Sequence, residues 1–261
     1  MNQTNDPREA AARRLREAYD AGAIPPLRDY LAPLDGAGAY AVQHINTAYW
    51  LSKGRRIAGY KVGLTSAGIQ ARLGVETPDY GVLFTDMQIA DGASLSPSRT
   101  LQPMAEGEIA VILAHDLIIS EPTDDDIRAA ALGAVAAIEV VDSRISDWNI
   151  SFADTVSDNG SAAYFVLGSD VLPLDNIDLS LCEMTMTAGQ AVVSTGNGAA
   201  SLGDPLGSVA WLARTLRERG EFLRSGNVIL TGALGAPFRL SPGDEIDVSV
   251  DRLGRCGVRF A

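Results

Sequence analysis

Residues 105–113 read Ala-Glu-Gly-Glu-Ile-Ala-Val-Ile-Leu, and this stretch indicates both the type of fold and the position of a site. Its β-branched, apolar second half is typical of a buried strand. Because residues i and i+2 of a strand point to the same face, Glu106 and Glu108 are predicted to lie side by side. Two like charges so close together are unfavourable unless a cation, a proton or a basic partner neutralises them. Gly107, between them, would let another group approach the backbone.

A second apolar run, residues 134–142, also contains an acid. Glu139 interrupts the sequence AVAAIEVVD, and an ionised carboxylate inside a core strand needs compensation. Three carboxylates with water make an octahedral oxygen site suited to Mg²⁺ or Mn²⁺. A salt bridge to an arginine such as Arg144, or exposure on an edge strand, would explain the same acids. The strand pattern by itself leaves these interpretations open.

Similar short runs, broken by Gly, Pro and Asp, continue on both sides of this pair and predict strands. They lie at 56–64, 81–84, 108–113, 134–143, 162–168, 182–187, 190–195, 227–232, 245–250 and 257–260. Helical patterns are fewer and lie at about 6–20, 38–53, 123–134 and 204–220. The order of these elements predicts an α+β fold with two parts: an N-terminal helical segment, 1–54, and a strand-rich mixed β body, 55–261.

Composition restricts the partners. The chain has 261 residues, 46% of them hydrophobic, which excludes a disordered protein. Its net charge of −12 repels phosphate backbones and argues against nucleic acid. The charged N-terminal stretch and the lack of an apolar run of roughly 18 residues argue against a secretory signal or a membrane span, so we expect the cytoplasm. Two Cys and two His argue against a zinc site, so any metal is expected to be a hard cation bound by oxygen.

Two other polar residues interrupt predicted structure. Lys61 lies near the end of the run 56–64, and a lysine in apolar surroundings beside a metal holds its proton less tightly, which suits acid–base catalysis. The alternative is a lysine whose stem packs while its head reaches solvent. Asp79 lies in the turn sequence Thr-Pro-Asp-Tyr-Gly and, taken alone, is a turn residue.

The polar loop 154–161 and the end of the run 227–232 offer side chains for a small ligand. Asp158 and Ser161 belong to the first, and Thr231 belongs to the second. Functional residues are common on such loops, but a loop of this composition is also often a simple turn.

Taken together, seven motifs resemble the 2-oxopent-4-enoate hydratase / 4-oxalocrotonate decarboxylase family, within the fumarylacetoacetate hydrolase-like fold group. The motifs are GYKVGLTS, PDYGVLF, LQPMAEGEIAVIL, AIEVVDSRISDW, FADTVSDNGSAAYFVLG, LGDPLGSVAWLARTL and VILTGALG. They follow one another in order across nearly the whole chain. The resemblance implies a fumarylacetoacetate hydrolase C-terminal-like body, a metal-dependent enzyme of meta-cleavage aromatic catabolism, and a homo-oligomer that can associate with a pathway enzyme.

The resemblance also implies roles for individual residues. Carried over by position, the family's metal ligands fall on Glu106, Glu108 and Glu139, and its active-site lysine falls on Lys61. Asp79 matches the acid near the pocket, and the loop with Asp158 and Ser161 is similar to the substrate-side loop.

The implied reaction is the addition of water to a 2-hydroxypenta-2,4-dienoate, which gives a 4-hydroxy-2-oxo acid. Mg²⁺ or Mn²⁺ would stabilise a dienolate, Lys61 would transfer protons, and Asp79 would activate water. The alternative is decarboxylation of 2-oxohex-3-enedioate, which shares the metal and the enolate. An acylpyruvate hydrolase is less favoured because neither His44 nor His115 lies in a matching motif. A non-catalytic oligomeric partner is less favoured because a scaffold has no need for acids inside apolar strands.

Overall fold

The computed structural model describes residues 6–175 and 177–261. The six α-helices of this part of the chain are α1 (Pro7–Ala21), α2 (Gly36–Ser52), α3 (Ala67–Leu73), α4 (Asp124–Ala130), α5 (Phe152–Ser157) and α6 (Pro205–Glu218). The strands are β1 (Ile57–Gly63), β2 (Asp79–Phe84), β3 (Gln88–Ile89), β4 (Ser94–Leu95), β5 (Met104–Leu113), β6 (Ala131–Val141), β7 (Ala162–Leu167), β8 (Glu183–Ala188), β9 (Ala191–Asn197), β10 (Val228–Leu230), β11 (Phe238–Arg239), β12 (Glu245–Val250) and β13 (Gly254–Phe260). Each predicted run contains or overlaps a strand, which confirms the α+β prediction.

Side-chain caps fix where the predicted helices begin. The Asp6 side chain accepts a hydrogen bond from the backbone N–H of Arg8, so α1 begins at Pro7. Asp204 does the same for α6, accepting from the backbone N–H of Leu206. Within the described chain, no helix has the length and apolar character needed to cross a membrane.

The helix predicted over 123–134 is wrong at its end. Thr123 caps it as expected, but α4 stops at Ala130 and the chain continues as β6 from Ala131. Ala131 pairs with Leu113 of β5, and Ala134 binds Leu172 through both backbone groups. Tertiary pairing therefore overrides the helical propensity of this alanine-rich run.

The strands form two sheets. The larger has the order β2-β1-β10-β5-β6-β7-β3, with β11 also pairing with β5. The smaller has the order β4-β13-β12-β8-β9. The long antiparallel pair β5–β6 lies in the middle of the larger sheet, and Ile109 and Ile138 are among its fully buried side chains.

The two sheets meet directly behind the start of β5. A Cβ atom on Gly107 would lie 2.8 Å from Sδ of Met184 on β8, so a larger residue here would force the Met184 side chain to move. The group that approaches the backbone at Gly107 is therefore a side chain of the smaller sheet. Because successive residues of a strand face opposite ways, Glu106 and Glu108 point away from this contact.

Candidate active site

The pairing of β5 with β6 assembles the three glutamates. Glu106 lies directly opposite Glu139, and Glu108 lies two residues further along the same face of β5. One carboxylate oxygen from each residue can be chosen so that all three lie within 4.8 Å of one another. Glu108 and Glu139 are buried, at 1% and 0% exposure, and Glu106 is half-buried.

Three of the six oxygens in this carboxylate cluster are buried without a hydrogen-bond partner among the described residues. Glu108 Oε2 accepts from the backbone N–H of Gly232 at 2.9 Å. Among the described residues, Glu108 Oε1 and both side-chain oxygens of Glu139 have no hydrogen-bond partner. A buried carboxylate left in this state is strongly unfavourable.

Burial raises the pKa of all three carboxyl groups above the usual value, and that of Glu139 to about 7. The proximity of Glu139 and Glu106 raises the pKa of Glu108 further, while Lys61 opposes the rise at each group. Converging, buried, oxygen-only donors that need positive charge fit a hard divalent cation such as Mg²⁺ or Mn²⁺.

Arginine does not neutralise these acids. Arg144 is bound to Asp158, and the cation nearest the cluster is Lys61, whose Nζ lies 3.6 Å from Glu139 Oε2. That distance allows an ion pair but exceeds a normal hydrogen bond. The interpretation that a salt bridge neutralises the glutamates is therefore supported only in part, because the basic partner is Lys61 and not an arginine.

Lys61 is 5% exposed and projects from β1 toward the carboxylate cluster. Burial lowers its pKa, but the carboxylates, with Glu139 first among them, raise it, and the net pKa lies well above the usual value. The weaker hold on the proton that is expected of a lysine beside a metal stays a prediction. Lys61 carries a positive charge at neutral pH.

Asp79 lies beside Lys61 at the start of β2 and is 1% exposed. Its Oδ2 accepts a 3.4 Å hydrogen bond from the Thr155 hydroxyl of α5, whereas Oδ1 has no partner among the described residues. Burial raises the pKa of Asp79, and Lys61 opposes that rise. A Cβ on Gly63 would lie 2.3 Å from Asp79 Oδ1 and 3.0 Å from Lys61 Nζ, so glycine makes this approach possible.

The loop after α5 packs against the stem of Lys61. Asn159, Gly160 and Ser161 all have left-handed backbone, with φ of 58°, 62° and 57°. The Asn159 side chain binds both backbone groups of Val82 in β2, at 2.7 and 2.8 Å. Ser161 is 2% exposed, and its hydroxyl has no partner within the described chain. The loop thus fixes Lys61 and leaves one hydroxyl available to a ligand.

A cavity of about 450 Å³ opens onto this machinery. Lys61, Asp79, Glu106 and Ser161 all lie on its wall. Glu108 and Glu139 lie behind Glu106, so a cation held by the three carboxylates would meet the cavity on the side of Glu106.

Asp158 lies elsewhere and is fully engaged. Its carboxylate accepts a 2.6 Å hydrogen bond from Arg144 Nε and a 2.9 Å bond from the Arg144 backbone N–H. Burial raises the pKa of Asp158 to about 6, an effect that Arg144 opposes, so the pair is ionised at neutral pH. Asp158 does not line the 450 Å³ cavity. This geometry gives it a role in holding the loop and does not support the expected contact with substrate.

Thr231 also faces protein groups. Its hydroxyl donates to the carbonyl of Ile109 at 2.9 Å, and its own carbonyl accepts from the Ser201 hydroxyl at 2.5 Å. These bonds hold the 231–235 turn against β5, where Gly232 donates to Glu108 and Ala233 lines the cavity. Thr231 thus supports a wall of the site without lining it.

Sequence reasoning missed Thr155 and Asn159. The Asn159-Gly160 pair is typical of left-handed backbone and was a usable signal for the tight loop. Thr155 gives no such signal, because its contact with Asp79 spans 76 positions of the chain.

The chain is similar to known proteins over nearly its whole length. Residues 67–261 match the family model described as fumarylacetoacetate (FAA) hydrolase C-terminal. The chain is 49% identical over 254 residues to 2-keto-4-pentenoate hydratase 1 of Dechloromonas aromatica, covering 97% of both chains. It is 36% identical over 255 residues to 2-hydroxyhexa-2,4-dienoate hydratase of Comamonas testosteroni, again covering 97% of both chains.

A solved structure extends the likeness to three dimensions. 4-Oxalocrotonate decarboxylase from Pseudomonas putida G7, complexed with magnesium and adipate, superposes with a TM-score of 0.94. It is 34% identical, and the match covers 100% of this chain and 99% of the other.

Proposed function

This chain belongs to the fumarylacetoacetate hydrolase family, among relatives named 2-keto-4-pentenoate hydratases, and from that premise we propose that it is a metal-dependent hydro-lyase. Its substrate is a 2-hydroxypenta-2,4-dienoate, and its product is a 4-hydroxy-2-oxo acid. The observation that carries the proposal is the cluster of buried, donor-free carboxylate oxygens beside Lys61, at the wall of a cavity. The Glu106, Glu108 and Glu139 side chains hold the cation.

A divalent cation bound there supplies Lewis-acid stabilisation of negative charge on the 2-oxygen of the substrate. Lys61, protonated at Nζ, donates a proton to C5, and the 2-hydroxyl proton restores the ammonium, which gives the conjugated 2-oxo-3-enoate. Water then adds at C4. Asp79 Oδ1 accepts a proton from that water and delivers it to C3, so that both side chains end in their starting states.

The protein fixes the geometry of this proton transfer. Thr155 holds Oδ2 of Asp79, so Oδ1 is the oxygen left to face the water. The Asn159–Ser161 loop packs on the Lys61 stem. We assign the Ser161 hydroxyl as a donor to the substrate, because Ser161 lines the cavity and its hydroxyl has no partner among the described residues. Asp158 and Thr231 act through the loops that they hold.

The proposed division of the chain follows from where these residues lie. Every residue on the wall of the 450 Å³ cavity comes from the proposed body, 55–261, and the family model begins at residue 67. The proposed N-terminal segment, 1–54, contributes cover: Gln43 donates to the carbonyls of Tyr80 and Val156 behind the site.

We also propose that the enzyme works in the cytoplasm as a homo-oligomer and can associate with another enzyme of the same pathway. Two observations support a reducing compartment and an assembly. Cys182 and Cys256 are buried free thiols. Large apolar side chains such as Leu181 and Val192 are exposed at 73% and 61%.

The direct test follows the loss of dienoate absorbance with purified protein, with Mg²⁺ and after EDTA treatment. We expect activity that requires the metal and a product with the mass of the 4-hydroxy-2-oxo acid. Full activity in the stripped protein would overturn the proposal. Release of CO₂ from 2-oxohex-3-enedioate, without hydration of the monocarboxylate, would assign the decarboxylase reaction instead.

A further inference from the structure

The cavity has an apolar region that the chemistry described above does not use. Ile69 and Leu73 of α3 line it, together with Trp148 and Ile150, which lie between β6 and α5. Ile69 is 45% exposed, and none of the seven residues of α3 is buried. This helix therefore holds apolar side chains at the mouth of the cavity instead of packing them into the core.

Another part of the cavity wall is held rigidly. Asp147 and Trp148 both have left-handed backbone, with φ of 58° and 54°. This conformation is unfavourable for residues other than glycine and persists where the surroundings fix it. Trp148 Nε1 donates to the Gln102 carbonyl at 3.0 Å, and the backbone N–H of Gln102 donates to Asp142 at 2.6 Å. The indole ring is thus preorganised as a flat apolar surface.

The cavity is larger than a five-carbon dienoate needs. A cavity of roughly 150 Å³ accommodates benzene, and such a dienoate is only slightly larger than benzene. The cavity here measures about 450 Å³. Space for additional carbon atoms therefore remains beyond the reacting group.

Charge argues against a second carboxylate in that space. Among the described residues, Lys61 and Arg72 are the cations on the cavity wall, and Lys61 already faces Glu139 and Asp79. Arg72 is exposed on α3, where solvent screens an ion pair and leaves it weak. Apolar contact is therefore the stronger attraction available at the mouth.

We propose that the mouth is a subsite for an apolar substituent at the far end of the substrate, and that Ile69, Leu73 and Ile150 set the preference for alkyl-substituted dienoates over dicarboxylates. This inference rests on the proposed function, since it concerns the tail of that substrate. Trp148 is the fixed surface against which the tail packs.

The test measures binding separately from turnover. The dissociation constants of 2-oxopentanoate, 2-oxohexanoate, 2-oxoheptanoate and 2-oxohexanedioate are determined by calorimetry on the Mg²⁺-loaded protein. These saturated acids cannot be hydrated. We expect affinity to rise about fourfold for each added carbon, the effect of burying one methylene. The dicarboxylate is expected to bind more weakly than 2-oxohexanoate.

Variants test whether the dependence of affinity on chain length arises at the mouth of the cavity. Ile69→Gln keeps a residue of good helix propensity and is expected to lower the affinity ratio of 2-oxoheptanoate to 2-oxopentanoate at least threefold. Ile118→Gln is the matched control, because Ile118 is 59% exposed and lies outside the cavity. That control should leave the ratio unchanged.

Equal affinity for all chain lengths would overturn the inference, as would tightest binding of the dicarboxylate that is lost in Arg72→Gln. Hydration of 2-hydroxypenta-2,4-dienoate is assayed on the same preparation. If the protein does not hydrate this dienoate but its binding affinity depends clearly on chain length, the proposed function is rejected and the subsite is kept. Hydration of the dienoate, without a dependence of binding on chain length, would keep the proposed function and reject the subsite.

Discussion

Two groups of largely buried charged side chains in the described chain differ in how they are satisfied: the carboxylate cluster of Glu106, Glu108 and Glu139 with Lys61, and the Arg144–Asp158 pair. The polar atoms of the pair are satisfied, since Arg144 also donates to the carbonyls of Asp142, Asp158 and Ala162. The cluster has excess negative charge and orphaned oxygens. Burial alone therefore does not identify a functional charge; an unmet need for a partner does.

The largest expected effect is a loss of activity, and it concerns the carboxylate cluster. Glu139→Gln removes a proposed metal ligand, and because changes outside the ligand shell already cost about 10–100-fold, we expect a loss of about 1000-fold in kcat/KM. Steady-state kinetics with Mg²⁺ measure it. Glu183→Gln, an exposed strand position, is the control. Wild-type kinetics in Glu139→Gln would show that the cluster is merely structural.

The second expected effect is a loss of stability, and it concerns the Arg144–Asp158 pair. Arg144→Ala leaves Asp158 buried without its partner and should lower the free energy of unfolding by about 3–5 kcal/mol. Urea denaturation measures this, with Arg217→Ala on the exposed side of α6 as control. The double variant Arg144→Ala/Asp158→Ala should lose less than the sum of the two single variants. Strict additivity would contradict the coupling.

The third effect uses pH on the metal-free protein. The pKa of Glu139 is raised from 4.5 to about 7 in the fold, so the folded state binds a proton that the unfolded state has released between these values. Stability should therefore fall as pH rises from about 4.5 to 7, by on the order of 3 kcal/mol for this group.

Thermal unfolding of the EDTA-treated protein from pH 5 to 8 measures that fall. Adding Mg²⁺ should stabilise the protein more at pH 8 than at pH 5, because the cation replaces the proton. Stabilisation by Mg²⁺ that does not change with pH would contradict the assignment of these carboxylates as ligands.

The smallest effect concerns a residue that positions Asp79. Thr155→Val removes one hydrogen bond to Oδ2 at nearly constant volume, and a loss of about 1 kcal/mol corresponds to roughly fivefold in kcat. Thr155→Ser should restore most of the rate, and the pH profile of Thr155→Val should shift. Thr215→Val on α6, whose hydroxyl binds Trp211, is the control. An unchanged profile would leave Thr155 with a packing role.

Local sequence was sufficient to predict ten of the thirteen strands and four of the six α-helices of the described chain, and to predict the three glutamates as a group. It missed the short strands β3, β4 and β11 and the short helices α3 and α5. Glu139 could be predicted because an acid inside an apolar strand conflicts with burial, and Glu106 with Glu108 because strand periodicity places them on one face. The end of α4 could not be predicted from local sequence, because the pairing of β6 with β5 decides where the helix stops. The partner of Asp158 could not be predicted from local sequence either. The sequence suggests Arg144 as a salt-bridge partner for the glutamates, and which acid Arg144 reaches depends on the path of the chain between β6 and α5.

The alternation of β5 has a physical consequence. Glu106 and Glu108 are the proposed metal ligands of this strand, whereas Gly107, between them, meets Met184 of the other sheet. Neighbouring positions of this strand therefore meet different physical demands, the outer two at the proposed site and the middle one at the contact between the sheets. A substitution at position 106 or 108 would change the carboxylate cluster and leave the contact at position 107 in place.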